Sequence, residues 1–90
     1  MPYQKKLSED LKKILHKLSK KDKSFCEQVL KKINEIINSP DVEHYKNLRY
    51  DLKDKKRVHI GHFVLVFEFD KANNLIIFSD FDHHDIIYKK

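Results

Sequence analysis

Ninety residues with 40% apolar content, six Phe and four Tyr can build one hydrophobic core and have no room for a second, so residues 1–90 are read as a single domain. One cysteine excludes an internal disulfide, and the lack of a leader pattern or an apolar run near 18 residues argues against a membrane partner and for a cytoplasmic protein. The net charge of +5 is uneven: residues 1–57 carry 16 Lys/Arg against 9 Asp/Glu, whereas residues 58–90 carry 3 against 5, a balance that favours polyanionic partners, nucleic acid first.

The chain opens with YQKK at 3–6, a candidate short strand. Ser8 then stands as N-cap to a helix whose Glu9 and Asp10 suit the positive helix end, with Leu7, Leu11, Ile14, Leu15 and Leu18 at helical spacing. After a polar joint, SKKDK, a second helix is predicted from Lys23 to Asn38, with Phe25, Cys26, Val29, Leu30, Ile33, Ile36 and Ile37 on its apolar stripe. Pro40 cannot continue it. Cys26 reads as a core residue and His16 as an exposed one. Residues 41–54 read as irregular, pinned to the core by Leu48 and Leu52.

From Lys55 the hydrophobic period changes to two. Gly61-His62 is a candidate two-residue type II′ turn, which pairs Ile60 with Phe63, Val58 with Leu65 and Lys56 with Phe67 on one face. Arg57 and His59 then share the opposite face. A second hairpin turns through DKANN and returns as LIIFSDF. Leu75, Ile77 and Phe81 are expected under the helices, and Ile76, Phe78, Asp80 and Asp82 on the side of His59. A last short strand, IIY, closes the chain. The fold class is therefore α+β: a helical hairpin, preceded by a short strand, packed on one face of a three- to four-stranded, mainly antiparallel sheet.

The segment FDHHDIIYK is the least explained by packing, since two imidazoles sit between two carboxylates where apolar residues seek burial. Asp and His ligands would suit zinc or manganese. Adjacent strand residues point to opposite faces, however, so His83 and His84 are not expected to share an ion and no metal is assigned.

The order of a helical hairpin, then NLRYDLKDKKRVHIGHFVLVFEFD, then LIIFSDFDHHDIIY, resembles the RelE/ParE superfamily of type II toxin–antitoxin toxins over nearly the whole chain. Its RelE-like branch of mRNA interferases is the most similar, through Leu48-Arg49, the strand after Gly61 and a His-rich segment ending in a tyrosine. The resemblance implies a toxin that cleaves mRNA on the ribosome and is held in check by a RelB-like antitoxin. It matches the family's basic strand pair to Arg57 and His59, its late histidine to His84 or His83, and its terminal tyrosine to Tyr88. Arginines common in relatives are replaced by Val64 and by Asp82 or His84, and a glutamate base of one member by Lys46, so histidine must carry the chemistry.

Metal-independent RNA cleavage needs a base for the 2′-OH, a cation for the phosphoryl oxygens and an acid for the leaving 5′-oxygen. Histidine changes charge near neutral pH and serves at either end. On this reading His59 and His84 are acid and base, with His83 their alternate, Arg57 grips the phosphate and Tyr88 stacks or assists proton transfer. Asp82 or Asp85 orients an imidazole, and Arg49, Lys53, Lys55 and Lys56 bind the RNA backbone; no cofactor is called for. The alternatives are a non-enzymatic, ParE-like gyrase inhibitor and a degenerate member that only binds RNA or an antitoxin.

Overall fold

Ser8 organises the N-terminal third. In the computed structural model, which describes residues 3–40, 45, 47–49 and 52–87 (backbone alone at 47–49 and 52–54), strand β1 (Gln4–Leu7) runs directly into helix α1 (Glu9–Lys21). The Ser8 hydroxyl accepts from the Leu11 N–H at 3.1 Å, as an N-cap should, and donates to the Ser79 carbonyl at 2.9 Å. The expected five-residue joint between the helices is in fact one residue. Asp22 donates its N–H to Leu18 to close α1, and its carboxylate accepts from Phe25 N–H to open α2 (Lys23–Ile37). Lys20 and Lys21 are helical, where their charge favours the negative C-terminal end.

The sheet has five strands in the order β1-β5-β4-β3-β2, with β2 at Asn47–Arg49, β3 at Leu52–Ile60, β4 at Phe63–Asp70 and β5 at Leu75–His83. All neighbours are antiparallel except β1 and β5, which are parallel. The extra strand relative to expectation is β2, drawn from the stretch read as irregular; it pairs Asn47 with Lys56 and Arg49 with Leu52. The β3–β4 hairpin has the expected register throughout, including Arg57 with Val66 and His59 with Val64. Its turn has Gly61 at φ +64°, the left-handed value that a type II′ turn requires at its first position.

The outer hairpin departs from expectation in one respect. Val66 pairs with Asp80 but Phe67 pairs with Phe78, so Ser79 is an extra residue, a β-bulge. Alternation therefore changes phase at Ser79. Ile76 and Phe78 lie on the helix side, fully buried, and not on the side of His59; Leu75 and Ile77 take the opposite face. Beyond the bulge the expected sides hold, with Phe81 in the core and Asp80 and Asp82 in the rows of Arg57 and His59. The Ser79 hydroxyl donates to the Val66 carbonyl at 3.3 Å, and its own carbonyl receives Ser8.

The core lies between the helices and the sheet, built from Leu11, Val29, Ile33, Ile36, Leu65, Phe67, Ile76 and Phe78. Cys26 is buried there, its thiol on the Leu15 carbonyl. Leu30, expected on the stripe, is 48% exposed. The expected strand IIY is instead a helical turn, α3 (His84–Ile87), with Tyr88 outside the described residues. Its Ile87 is buried with Val64 and Val66 on the far face of the sheet. Among the described residues no helix is long and apolar enough to cross a membrane.

Candidate functional site

Two groups of polar side chains are built by this framework. The first stands on β3. Arg57 and His59 are two residues apart and so share the far face, and Arg57 Nη1 lies 3.5 Å from His59 Nδ1. A guanidinium only donates, so in this contact His59 Nδ1 is the acceptor. Across the sheet the rows read Arg57–Val66–Asp80 and His59–Val64–Asp82. Each of those carboxylates is held by the main chain: Asp80 accepts from Phe81 N–H at 2.9 Å and Asp82 from His83 N–H at 2.8 Å. Asp82 thus holds backbone geometry at the end of β5, in place of the expected imidazole contact.

The second group forms where β5 becomes α3. His83 is in register with Phe63 and packs edge-on against its ring, with centroids 5.8 Å apart. The His84 N–H donates to the His62 carbonyl at 3.0 Å, extending the β4–β5 register by one residue as the chain enters α3. At this transition the rings of His83 and His84 do not diverge as strand neighbours would. They stack, with centroids 4.5 Å apart and planes 30° apart. Asp85 sits under both: Oδ1 is 3.0 Å from His84 Nδ1 and Oδ2 is 3.6 Å from His83 Nδ1. The Asp85–His84 contact fixes that imidazole with Nδ1–H toward the carboxylate and Nε2 directed elsewhere, an acid–base arrangement. Of the two aspartates expected to orient an imidazole, Asp85 is the one in place.

His62 belongs to this group and was not expected there. Its ring is stacked parallel to His83, with centroids 6.3 Å apart and planes at 21°. The signal is the Gly61 turn itself, since the hairpin end at 61–62 abuts the end of β5 once Phe63 is paired with His83. Beside the group, Ile14, Leu18, Phe63 and Phe81 line a recess of about 310 Å³, with Lys17, Lys21 and Asp82 completing its walls.

A family model for the ParE toxin of type II toxin–antitoxin systems, parDE, matches residues 3–88. The chain belongs to this toxin family. It is 55% identical over 89 residues to "Putative toxin RelE4" of Methanocaldococcus jannaschii, an alignment covering 98% of this chain and 93% of that protein. A Methanosarcina mazei protein is 43% identical over 84 residues, covering 92% of this chain and 95% of that one. In fold the toxin is similar to a mutant of the E. coli RelE toxin in the free state, with a TM-score of 0.77, 20% identity and coverage of 99% and 93% of the two chains. It is similarly close to the RelBE2 toxin–antitoxin complex of Mycobacterium tuberculosis, with a TM-score of 0.74, 20% identity and coverage of 93% of both chains.

Four basic residues were expected to bind RNA in this toxin. Lys55 points to the far face, 3.6 Å from Glu68 across the β3–β4 pair. Lys56 alternates to the helix side and is buried, its ammonium donating to the Tyr45 carbonyl at 3.2 Å. It is a core residue with a satisfied charge, which corrects its assignment to the RNA surface. The side chains of Arg49 and Lys53, like Tyr88, lie outside those described.

Proposed function

We propose that this toxin is an endoribonuclease that cleaves mRNA on the ribosome by histidine acid–base chemistry, and that a RelB-like antitoxin covers it when it is inactive. The supporting observation is the row His59–Val64–Asp82, which joins the Arg57–His59 face to the end of β5 where His83 and His84 emerge. In the reaction one imidazole, His59 or His84, takes the 2′-OH proton as that oxygen attacks phosphorus, and the other protonates the 5′-oxygen as its bond to phosphorus breaks. Arg57 holds the phosphoryl oxygens as negative charge grows on them. Asp85 steadies His84, and Tyr88 stacks on a base.

The antitoxin is supported by the recess, whose apolar floor and two lysines suit an acidic amphipathic segment. The E. coli RelE mutant in complex with an antitoxin RelBc peptide has the same fold, with a TM-score of 0.71, 20% identity and coverage of 99% and 93% of the two chains. The match to a ParE model favours a second reading, in which the toxin is a non-enzymatic inhibitor acting through protein contacts such as those with gyrase.

Primer extension on a reporter mRNA in a cell-free translation mixture separates the two. The wild type should cut, His59→Ala and His84→Ala should each cut about 100-fold more slowly, and omission of ribosomes should abolish the cuts. A folded wild type that leaves the message intact while blocking gyrase supercoiling would establish the second reading.

A further inference from the structure

We propose that His83, His84 and Asp85 form a binding site for a divalent transition-metal ion of the zinc class. Adjacent residues of a continuous strand diverge, but the chain leaves β5 at His83 and enters α3 at His84, and this bend turns the two imidazoles to one side. One donor atom from each of the three residues then lies within 4.8 Å of the others. In a tetrahedral zinc site with bonds of 2.0–2.1 Å, donors stand about 3.3 Å apart. His84 Nδ1 and Asp85 Oδ1 at 3.0 Å are already near that spacing. The three side chains are between 38% and 64% exposed, so small rotations about their own bonds bring in the third donor without disturbing the core.

The Asp85 backbone N–H donates to His83 Nδ1 at 3.3 Å, so an ion would take over a lone pair that now accepts a hydrogen bond and would displace the proton that His84 Nδ1 shares with Asp85. Asp85 Oδ2, also an acceptor, lies 3.6 Å from His83 Nδ1. One Zn²⁺ ion would serve both imidazoles and the carboxylate at once. Two imidazoles and one carboxylate suit Zn²⁺, Ni²⁺ or Cu²⁺ and poorly suit Mg²⁺ or Ca²⁺, which seek shells of oxygen. Cys26, buried in the core, adds no thiolate. Three protein ligands would leave a coordination position open.

The site shares His84 with the chemistry proposed above, so an ion bound there would occupy that imidazole and silence cleavage. This consequence rests on the nuclease reading; the binding does not. The test is titration of the full-length, untagged, chelator-treated chain with Zn²⁺ by calorimetry and with Co²⁺ by visible absorption, with Mg²⁺ in parallel. One Zn²⁺ per chain is expected, together with a Co²⁺ spectrum of low coordination number and no Mg²⁺ binding. His83→Ala, His84→Ala and Asp85→Asn should each weaken Zn²⁺ by at least about tenfold, and His16→Ala, which alters an exposed histidine on α1, should leave it unchanged. No Zn²⁺ binding, or binding that the three substitutions do not weaken, overturns the site. Adding Zn²⁺ to the cleavage assay, then a zinc-selective chelator, reads the consequence separately. A chain that binds Zn²⁺ but never cuts keeps the site and loses the nuclease, and one that cuts but binds no Zn²⁺ does the reverse.

Discussion

Tyr45 and Lys56 show how one residue's chemistry is spent on architecture. The Tyr45 ring packs edge-on against Phe67, with centroids 5.6 Å apart, and its carbonyl accepts the Lys56 ammonium. Burial raises the Tyr45 phenol above its ordinary value; nearby Glu35 adds to this and Lys32 opposes it. A phenol raised on folding holds its proton more tightly in the folded chain than in the unfolded one. Its contribution to stability is therefore complete below about pH 10 and is lost as pH rises through the folded value. Thermal melts between about pH 9 and 11 should show the wild type losing more stability than Tyr45→Phe, which has no phenol to titrate. Equal losses in the two proteins would remove this role. Much of the candidate site was legible at this scale: Arg57 and His59 share a face because strand side chains alternate. The pairing of His83 with His84 was not, because alternation predicts divergence and the passage from strand to helical turn at 83–84 overrides it. Lys56 was readable as inward from the same alternation, and its assignment to RNA gave its charge more weight than its position.

Among the elements, the two short connections carry unequal weight. Asp22 caps both helices from an exposed position, so Asp22→Ala is expected to cost about 1 kcal/mol. Ser8 caps α1 and also satisfies the partly buried carbonyl of the bulge, so Ser8→Ala is expected to cost about 2 kcal/mol, one part for the cap and one for the stranded carbonyl. Urea denaturation of both variants checks the difference, and equal costs would mean that the Ser8–Ser79 bond contributes nothing. The helices and the β3–β4 hairpin were readable because each has one strong period and a clear terminator: Ser8, Pro40 and Gly61. Strand β5 was harder. LIIFSDF alternates acceptably in either phase, and a bulge of one residue has no marker in composition. The expected strand IIY was misread at Ile86 and Ile87 because isoleucine favours strands, whereas Ile87 is buried on Val64 and Val66 within a helical turn.

For the whole molecule, charge sets the terms of encounter. The basic excess lies in residues 1–57, and with Lys56 withdrawn into the core, Arg49, Lys53, Lys55 and Arg57 remain from the set proposed to meet phosphates. Four phosphate contacts imply a slope of about −2.8 for log affinity against log salt, on the order of a 50-fold loss for single-stranded RNA between about 50 and 200 mM. Fluorescence anisotropy with a labelled oligonucleotide measures that slope, and a flat response would exclude these contacts as the source of binding. The bulge at Ser79 has a consequence of a different kind. The strand skips Ser79 in its alternation: Ile76 and Phe78 lie in the core, and the next paired residues continue the pattern with Asp80 and Asp82 on the face of Arg57 and His59 and Phe81 in the core. Without Ser79 the strand would alternate regularly, with Ile76, Phe78 and Phe81 still facing the core and Asp80 and Asp82 the far face, so what is lost is the Ser79 hydroxyl on Val66 and the carbonyl that receives Ser8. Deleting Ser79 should therefore leave urea unfolding cooperative at a lower midpoint, and a loss of cooperativity would show that the bulge itself sets the register of β5. The extra residue is thus a fastening between the sheet and the first helix.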